Sequence, residues 1–543
     1  MPVWGLCVFS ICTPAFGQEP PPSPGSVQDT LQEPPQPPVE LHDIPAMEFP
    51  RADAPAIAPG GREVSVTRVV IDGNTVLPQS ELDAFAQAYA GQSLTLAEIY
   101  AVADALTDLY RERGFGLAAA TVPAQRVEDG TLRLTVVEGR IGSVRYEGGD
   151  RYDRDALARQ AIAMQPGEVF RNANVDRALL LLNDLPGLRA RAVVGPGVAA
   201  GTSDVVVRLE EDPTEFRISL DNYGRESIGE HRLTLDGAVN SPGGHGDVLS
   251  GSLLVSQSNL LTYFSLAYGA PIGKDGSHVG VSYSRADYDV GTAVFVPLDI
   301  EGLNNVLRID WTHPTVRSRE RTVVVGAAVS HTTSESTSLG TLTTDTEITL
   351  LEISAFMNRV WSGGSSTNFG VSFGTNMQSN SDGTDPGAQM GRLRMDASHT
   401  VWFAPAWAGV LRAAAVYSPD PLADTQKFSV GGPYSNRGFV SSEARGDRGA
   451  SATAELQRHF RIGASPAYAS AFFDTGSVRR ISLPTDPPGL DNSTTLSSAG
   501  IGFTAAPSSQ WRISAVWAKP VGSYTPADGD DGARVWAFVS AGF

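Results

Sequence analysis

The 543 residues contain only two cysteines, Cys7 and Cys12, and both lie in the first apolar stretch. Once that stretch is removed, the chain can form no disulfide and no thiolate metal site. A thiol-free chain also crosses an oxidising compartment without mispairing. Positive charge is scarce: 41 Lys and Arg stand against 60 Asp and Glu, a formal net charge of −19. This balance argues against a nucleic-acid partner, which needs a basic face. Beyond the N-terminus no run of about 18 or more apolar residues occurs, so a bundle of membrane-spanning helices is excluded. A β-barrel is not, because its strands alternate apolar and polar residues. The eight His are scattered without metal-ligand spacing, and no metal, cofactor or catalytic residue is expected. Gly370-Val371-Ser372-Phe373-Gly374 has the spacing of a nucleophile elbow, but it lies inside an alternating run rather than a strand-turn-helix. Gly195-Pro196-Gly197 reads as a turn, since Pro removes the amide a phosphate loop would need.

Residues Met1 to Gly17 read as a secretory signal, with a mostly apolar run from Trp4 to Ile11 and small residues near Ala15 and Gly17. Residues 18–62 read as a proline-rich linker. Pro20, Pro21, Pro22, Pro24, Pro34, Pro35, Pro37 and Pro38 remove donors and fix φ, so this stretch is expected to carry neither a long helix nor a sheet. Only Ser26 to Glu33 has room for two helical turns. Residues 63–139 read β-α-α-β-β: one alternating strand from Val64 to Val70, a helix capped by Ser80, and a second capped by Thr95 with Leu96, Ile99, Ala103, Leu106 and Tyr110 on one face. Residues 140–212 repeat the pattern, which gives two small α+β domains in tandem.

From residue 213 to 543 the texture changes to short alternating runs separated by Gly, Asp, Ser and Pro. Leu307, Ile309 and Trp311 oppose Arg308, Asp310 and Thr312, and Leu393, Met395 and Ala397 oppose Arg392, Arg394 and Asp396. A period of two places one apolar and one polar face on each strand. A soluble sandwich would show the same alternation. Charges in mid-strand on the polar face, and Trp and Tyr near the run ends, tilt the reading to a membrane barrel with a watery lumen. About 16 strands are counted, an even number as bacterial barrels require. Phe543 ends the last run on its apolar face and is read as an assembly signal.

The motifs then point to a family. Asn183-Asp184-Leu185-Pro186-Gly187, Asp221-Asn222-Tyr223-Gly224, Gly431 to Phe439 with Arg437-Gly438-Phe439 at its centre, Gly446-Asp447-Arg448-Gly449 followed by Glu455, and Phe472-Phe473-Asp474-Thr475-Gly476 occur in that order. Together they resemble the two-partner secretion transporters of the haemolysin and filamentous-haemagglutinin exporter type, within the POTRA-plus-barrel superfamily. The resemblance implies a signal peptide, two periplasmic POTRA domains and an outer-membrane barrel of 16 strands. It implies a non-enzymatic pore that exports, without ATP, a large β-helical exoprotein bearing an N-terminal secretion domain. Outer-membrane lipid and the barrel-assembly machinery would be its other partners. It also implies that the loop carrying Arg437 folds back into the barrel and pairs with Asp474, with Gly438 permitting close approach and with Phe439 and Gly476 part of the same loop–barrel contact. Family members often hold an N-terminal helix as a plug, and the density of proline here makes such a plug doubtful or very short. An assembly factor that inserts other barrels is the alternative from another class; a passive porin would not need the two periplasmic domains.

Overall fold

The computed structural model describes residues 21–31, 62–127, 129–381, 390–482 and 492–543. The signal segment and most of the proline-rich stretch lie outside the described residues.

In the first periplasmic unit, Arg68–Asp72 runs parallel to Thr131–Val137, which pairs on its other edge with Ala119–Thr121. The helices Gln79–Tyr89 and Leu96–Glu112 carry the apolar face that buries this sheet. Thr95 and Glu98 close the N-terminus of the longer helix reciprocally, side chain to backbone in both directions. Leu82, Ile99, Leu106 and Tyr110 are fully or nearly fully buried. Each such side chain contributes roughly 1.5–3 kcal/mol relative to exposure.

Three expectations fail here. Leu96 is 52% exposed, because it sits in the first turn before the helix reaches the sheet. Ser80 lies inside its helix, whose N-cap is Pro78 with no side-chain hydrogen bond. The alternating run breaks at Thr67 into Val64–Val66 and Arg68–Asp72, and the phase flips so that Val66 and Val69 are both buried.

The second unit repeats the topology. Arg140–Gly148 is parallel to Thr202–Glu211, which pairs antiparallel with Leu188–Pro196. The helix Asn172–Asn183 buries Val175, Leu179 and Leu182 against that sheet.

The remainder is a closed antiparallel barrel of 16 strands. They are numbered here in chain order, from strand 1 (Thr214–Asp221) to strand 16 (Arg534–Gly542). Alternation decides the two faces. On strand 6 (Ile300–Arg317) Leu307 and Ile309 are exposed on the outside, while Arg308 and Asp310 face inward and pair. Strand 1 enters from the periplasmic units, so loops after odd-numbered strands lie at the extracellular end. Ser372 of the elbow-like sequence sits in mid-strand on the lumen side and donates to Glu352 Oε2 at 3.3 Å, a wall contact.

Closure joins strand 16 to strand 1 through only five residue pairs, Phe538↔Asp221 to Gly542↔Arg217. Past the last pair, the Asn222 side chain continues the ladder, accepting from Ala537 N at 2.7 Å and donating to Val535 O at 2.8 Å. At the other end Phe543 exchanges two backbone hydrogen bonds with Phe216, at 2.8 and 3.2 Å, and their rings lie 6.4 Å apart on the lipid side. A seam this short gains much from each added pair. Deleting Phe543 should therefore lower the amount of heat-modifiable barrel in the outer membrane several-fold. Unchanged heat-modifiable protein on a gel would show that this residue plays no part in assembly.

Candidate functional site in the barrel lumen

The sixth extracellular loop connects strand 11 (Trp407–Tyr417) to strand 12 (Arg448–Ile462) and turns back into the barrel. A two-stranded ribbon, Phe428–Val430 against Ala444–Gly446, carries it inward. Gly431 and Gly432 follow with φ of 110° and 99°, which a residue with a Cβ rarely adopts. Asp447 braces the base of the loop by accepting from Leu422 N at 2.7 Å and Ile481 N at 2.6 Å. Gly449, beneath it, lets the Phe428 ring sit against the wall.

At the tip, Arg437 meets strand 13 (Ser465–Arg479). Its Nη2 and Nε donate to the two oxygens of Asp474 at 2.9 and 3.0 Å, and its backbone N–H donates to Asp474 Oδ2 at 3.1 Å. Nη1 donates to Glu455 Oε2 at 3.0 Å, and the guanidinium lies over the Phe472 ring. Asp474 has no exposed surface and also accepts from Thr453 and Ser498. A planar fork satisfied on every side by carboxylates and a ring face is what distinguishes Arg from Lys at such a point. Burial works against the Arg437 charge, but Asp474 and Glu455 outweigh it and hold its pKa above the ordinary value.

The loop backbone is held as closely. A Cβ on Gly438 would stand 2.7 Å from Ser498 Cβ and 2.8 Å from Pro520 N, so only glycine lets the tip reach strands 14 (Ser493–Ala505) and 15 (Trp511–Pro520). Gly476 likewise leaves room for Asn436 and Val430. Phe439 is buried edge-on against Tyr524. Trp536 Nε1 on strand 16 donates to Arg437 O at 2.7 Å.

The end of strand 1 joins the same assembly through Tyr223. Its ring packs against Tyr434 of the loop and Trp536, and its carbonyl accepts from Ser441. Gly224 permits a tight return against the Gly229 carbonyl. Asp221 pairs with Arg232 Nε at 2.7 Å. The sequence motifs around residues 221, 437, 455 and 474 therefore converge in space, whereas Phe543 stands apart at the seam. The sequence reading placed Glu455 in a motif but missed it as a second counter-ion, and missed Tyr223, Phe472 and Trp536 as packing partners. Their signal was the inward parity of strands 12, 13 and 16.

A short helix, Pro24–Leu31, lies in the extracellular half of the lumen; of the expectation that an N-terminal helix would be doubtful or very short, the second half holds, at two turns. Pro24 occupies the first turn, where a missing N–H costs nothing. Ser23 caps the helix, accepting from Ser26 N at 3.2 Å. Asp29 pairs with Arg445 at 2.8 Å, Gly25 N donates to Asp424 at 2.9 Å, and Arg232 donates to the Thr30 carbonyl at 2.6 Å. Val27 is buried against Ile228, Leu254, Leu261, Ala286 and Tyr288. Arg445 is thus a bridge between the helix and the loop. Burial raises the Asp29 carboxyl above its usual range despite Arg445, while Asp424, also desolvated, is held below it by Arg445 and Lys427.

Replacing Arg445 by Ala removes the ion pair and leaves Asp29 buried without its cation. The plug should then leave the lumen more often, and channel conductance in planar bilayers should rise several-fold. Conductance equal to wild type would show that the remaining contacts hold the helix without the ion pair.

At the periplasmic mouth the Asn183 to Gly187 turn is the fixture between the second unit and the barrel. Asp184 is gripped by Arg317 through both oxygens, with one contact at 2.9 Å. Two turns earlier Asp176 accepts from Arg319 at 2.8 Å. Gly187 leaves space for the Asp212 carbonyl and the Asn240 side chain. Contacts also reach the strand 2–3 turn, where Asp153 N donates to the Gly244 carbonyl at 2.7 Å, and the strand 4–5 turn, where Arg177 donates to the Asp275 carbonyl at 3.3 Å.

A barrel of 16 strands, with a loop pinned to its inner wall and two small α+β units at its periplasmic end, defines an outer-membrane β-barrel protein of the POTRA-bearing class. Residues 201–505 match the profile described as haemolysin secretion/activation protein ShlB/FhaC/HecB, and residues 64–139 match the POTRA domain, ShlB-type. The chain belongs to the ShlB/FhaC/HecB family.

It is 23% identical over 470 residues to the heme/hemopexin transporter protein HuxB of Haemophilus influenzae strain 86-028NP, covering 82% of each chain. It is 25% identical over 408 residues to the outer membrane transporter CdiB of Escherichia coli, covering 71% of this chain and 67% of that one. Alignments with two other HuxB chains of Haemophilus influenzae span less than half of those proteins, 46% and 44%. Among solved structures, CdiB from Escherichia coli superposes with a TM-score of 0.74 at 23% identity, over 91% of this chain and 93% of that one. BamA from Haemophilus ducreyi lacking POTRA domains 1–3 superposes at 0.53 and 18% identity, over 89% and 100%. Both share the fold.

Proposed function

We propose that the chain is a non-enzymatic export pore of two-partner secretion, carrying one large β-helical exoprotein from periplasm to cell surface. The observation that carries this reading is a short helix seated inside the lumen and held there by non-covalent contacts. Polar contacts and the burial of Val27 hold the helix at residues 24–31 inside a wall of hydrogen-bonded strands. Such a plug suits a pore that must open for a wide cargo and stay shut otherwise. The periplasmic units would receive an unfolded N-terminal secretion domain by pairing it to a sheet edge, where backbone hydrogen bonds give affinity with little demand on sequence. Arg437, Asp474 and Glu455, with Gly438, Phe439 and Gly476, would hold the loop in the conformation that export needs. Asp221, Asn222, Gly224, Asp447 and Gly449 would support it at the seam and the loop base. No ATP is required in this scheme, because folding of the cargo outside the cell draws it through. The barrel-assembly machinery would install the protein among outer-membrane lipids.

The short seam between strands 16 and 1 favours one other reading, a factor that inserts other barrels through a lateral opening. The two are separated by co-expression with any large β-repeat protein found encoded beside this gene. Export predicts that cargo accumulates outside the cell only when this chain is present. Unchanged cargo secretion in its absence, with a general loss of other barrels from the membrane, would reverse the choice.

A further inference from the structure

The periplasmic rim is not covered evenly. The Arg317 and Arg319 contacts, with those to the strand 2–3 and 4–5 turns, seat the second periplasmic unit over the rim of strands 2 to 7. None of these contacts falls on the rim of strands 10 to 15. At that rim three aromatic rings from three different strands meet on the inner wall. Trp402 of strand 10 (Gly391–Ala404) lies 4.7 Å from His459 of strand 12, which lies 5.2 Å from Tyr468 of strand 13. Trp402 is 38% exposed although it points into the pore. Beside them a cavity of about 570 Å³ is lined by His459, Tyr468, Thr504, Arg461 and Arg512. Neither Arg461 nor Arg512 has a carboxylate partner among the described residues, whereas Arg308, Arg392, Arg394 and Arg412, deeper in the lumen, are all paired.

We propose that this patch is the first docking point inside the barrel for the exported chain, and that it takes an extended segment in which aromatic side chains stand next to carboxylates. Rings offer stacking faces that accept an aromatic side chain with little demand on its identity. Two unpaired guanidinium groups at the cavity edge select negative charge beside it. Both recognise local chemistry rather than a fold, which suits a chain that must enter unfolded. The occupant follows from position and charge: the patch lies at the periplasmic end of the barrel, which a chain entering from the periplasm has to pass, and on the same strands 12 and 13 that carry Glu455 and Asp474. This assignment rests on the export reading.

The test uses the full-length protein in detergent micelles and in cells. The probe is a synthetic Gly/Ser/Thr peptide carrying Phe-Asp pairs, compared with matched Phe-Lys and Ser-Asp peptides. Photocrosslinking from p-benzoylphenylalanine at position 504, on the cavity lining, should capture the Phe-Asp peptide about tenfold more efficiently than either control, a preference of the size expected from stacking or charge. Arg512→Glu should invert the charge preference. Trp402→Ala with Tyr468→Ala should remove the aromatic preference, and Trp402→Phe with Tyr468→Phe should keep it. In cells, the alanine pair should lower cargo secreted per inserted transporter several-fold, with rescue by the phenylalanine pair. Equal capture of all three peptides, or normal export by the alanine pair beside an exporting wild type, overturns the patch alone. Failure of the wild type to export any neighbouring cargo, with peptide capture intact, overturns the export reading instead.

Discussion

Arg437→Ala is expected to reduce export to background while leaving the barrel in the membrane at near-normal level. The guanidinium is the only cation on Asp474 among the described residues, and its loss leaves a carboxylate with no exposed surface beside Glu455, also buried. Breaking a buried pair from one side costs about 3–5 kcal/mol. That cost falls on the docked loop, because undocking returns Asp474 and Glu455 to the water of the lumen, whereas the closed ladder of strands is untouched. Asp474→Ala should also abolish or strongly reduce export, but less completely, since Glu455 still holds Arg437 at 3.0 Å. The double variant should be no worse than Arg437→Ala, because Asp474 is no longer stranded; sub-additivity of this kind marks a shared contact. Arg437→Lys should rescue little, as one ammonium cannot reach both carboxylates and stack on Phe472. The measurement is secreted cargo per unit of heat-modifiable transporter. Normal export by the single variants, or defects that multiply in the double, would remove the pair from the functional site while leaving the family assignment in place.

The second large effect is expected from removing residues 63–211. Export should fall to background while the truncated chain still inserts, remains heat-modifiable and conducts ions. The two periplasmic units have cores of their own, and neither shares an apolar cluster with the barrel. What joins them to it is mainly polar: Arg317 and Arg319 to Asp184 and Asp176, and backbone hydrogen bonds to the periplasmic turns. Losing such contacts at a wetted rim exposes charges to water at little cost, so the barrel should survive. Export at normal yield by the truncated protein would falsify the receiving role of these units. A truncated chain that failed to reach the membrane would show instead that they are needed for assembly.

What the sequence determined by itself was whatever repeats locally. Alternation of Leu307, Ile309 and Trp311 with Arg308, Asp310 and Thr312 is enough to make a strand with one wet face, and an even number of such strands has a closed barrel as its way of satisfying every backbone group in lipid. The Thr95–Glu98 box and the buried stripe from Ile99 to Tyr110 specify a helix for the same local reason.

Tertiary structure decided what depends on residues far apart in the chain. Proline density argued against a plug, yet Pro24–Leu31 is helical because Ser23 caps it and because Arg445, some 400 positions away, neutralises Asp29. Glu455 became a second counter-ion only when strands 12 and 13 paired in the register Glu455↔Phe472 and Thr453↔Asp474, which sets both carboxylates on the inner wall around one guanidinium. The Trp402, His459 and Tyr468 cluster arises in the same way, since its rings come from three strands and no spacing along the chain announces it. Local periodicity fixes which face a side chain takes, but register and closure fix which side chains share that face at one height, and that is where ion pairs and ring contacts form.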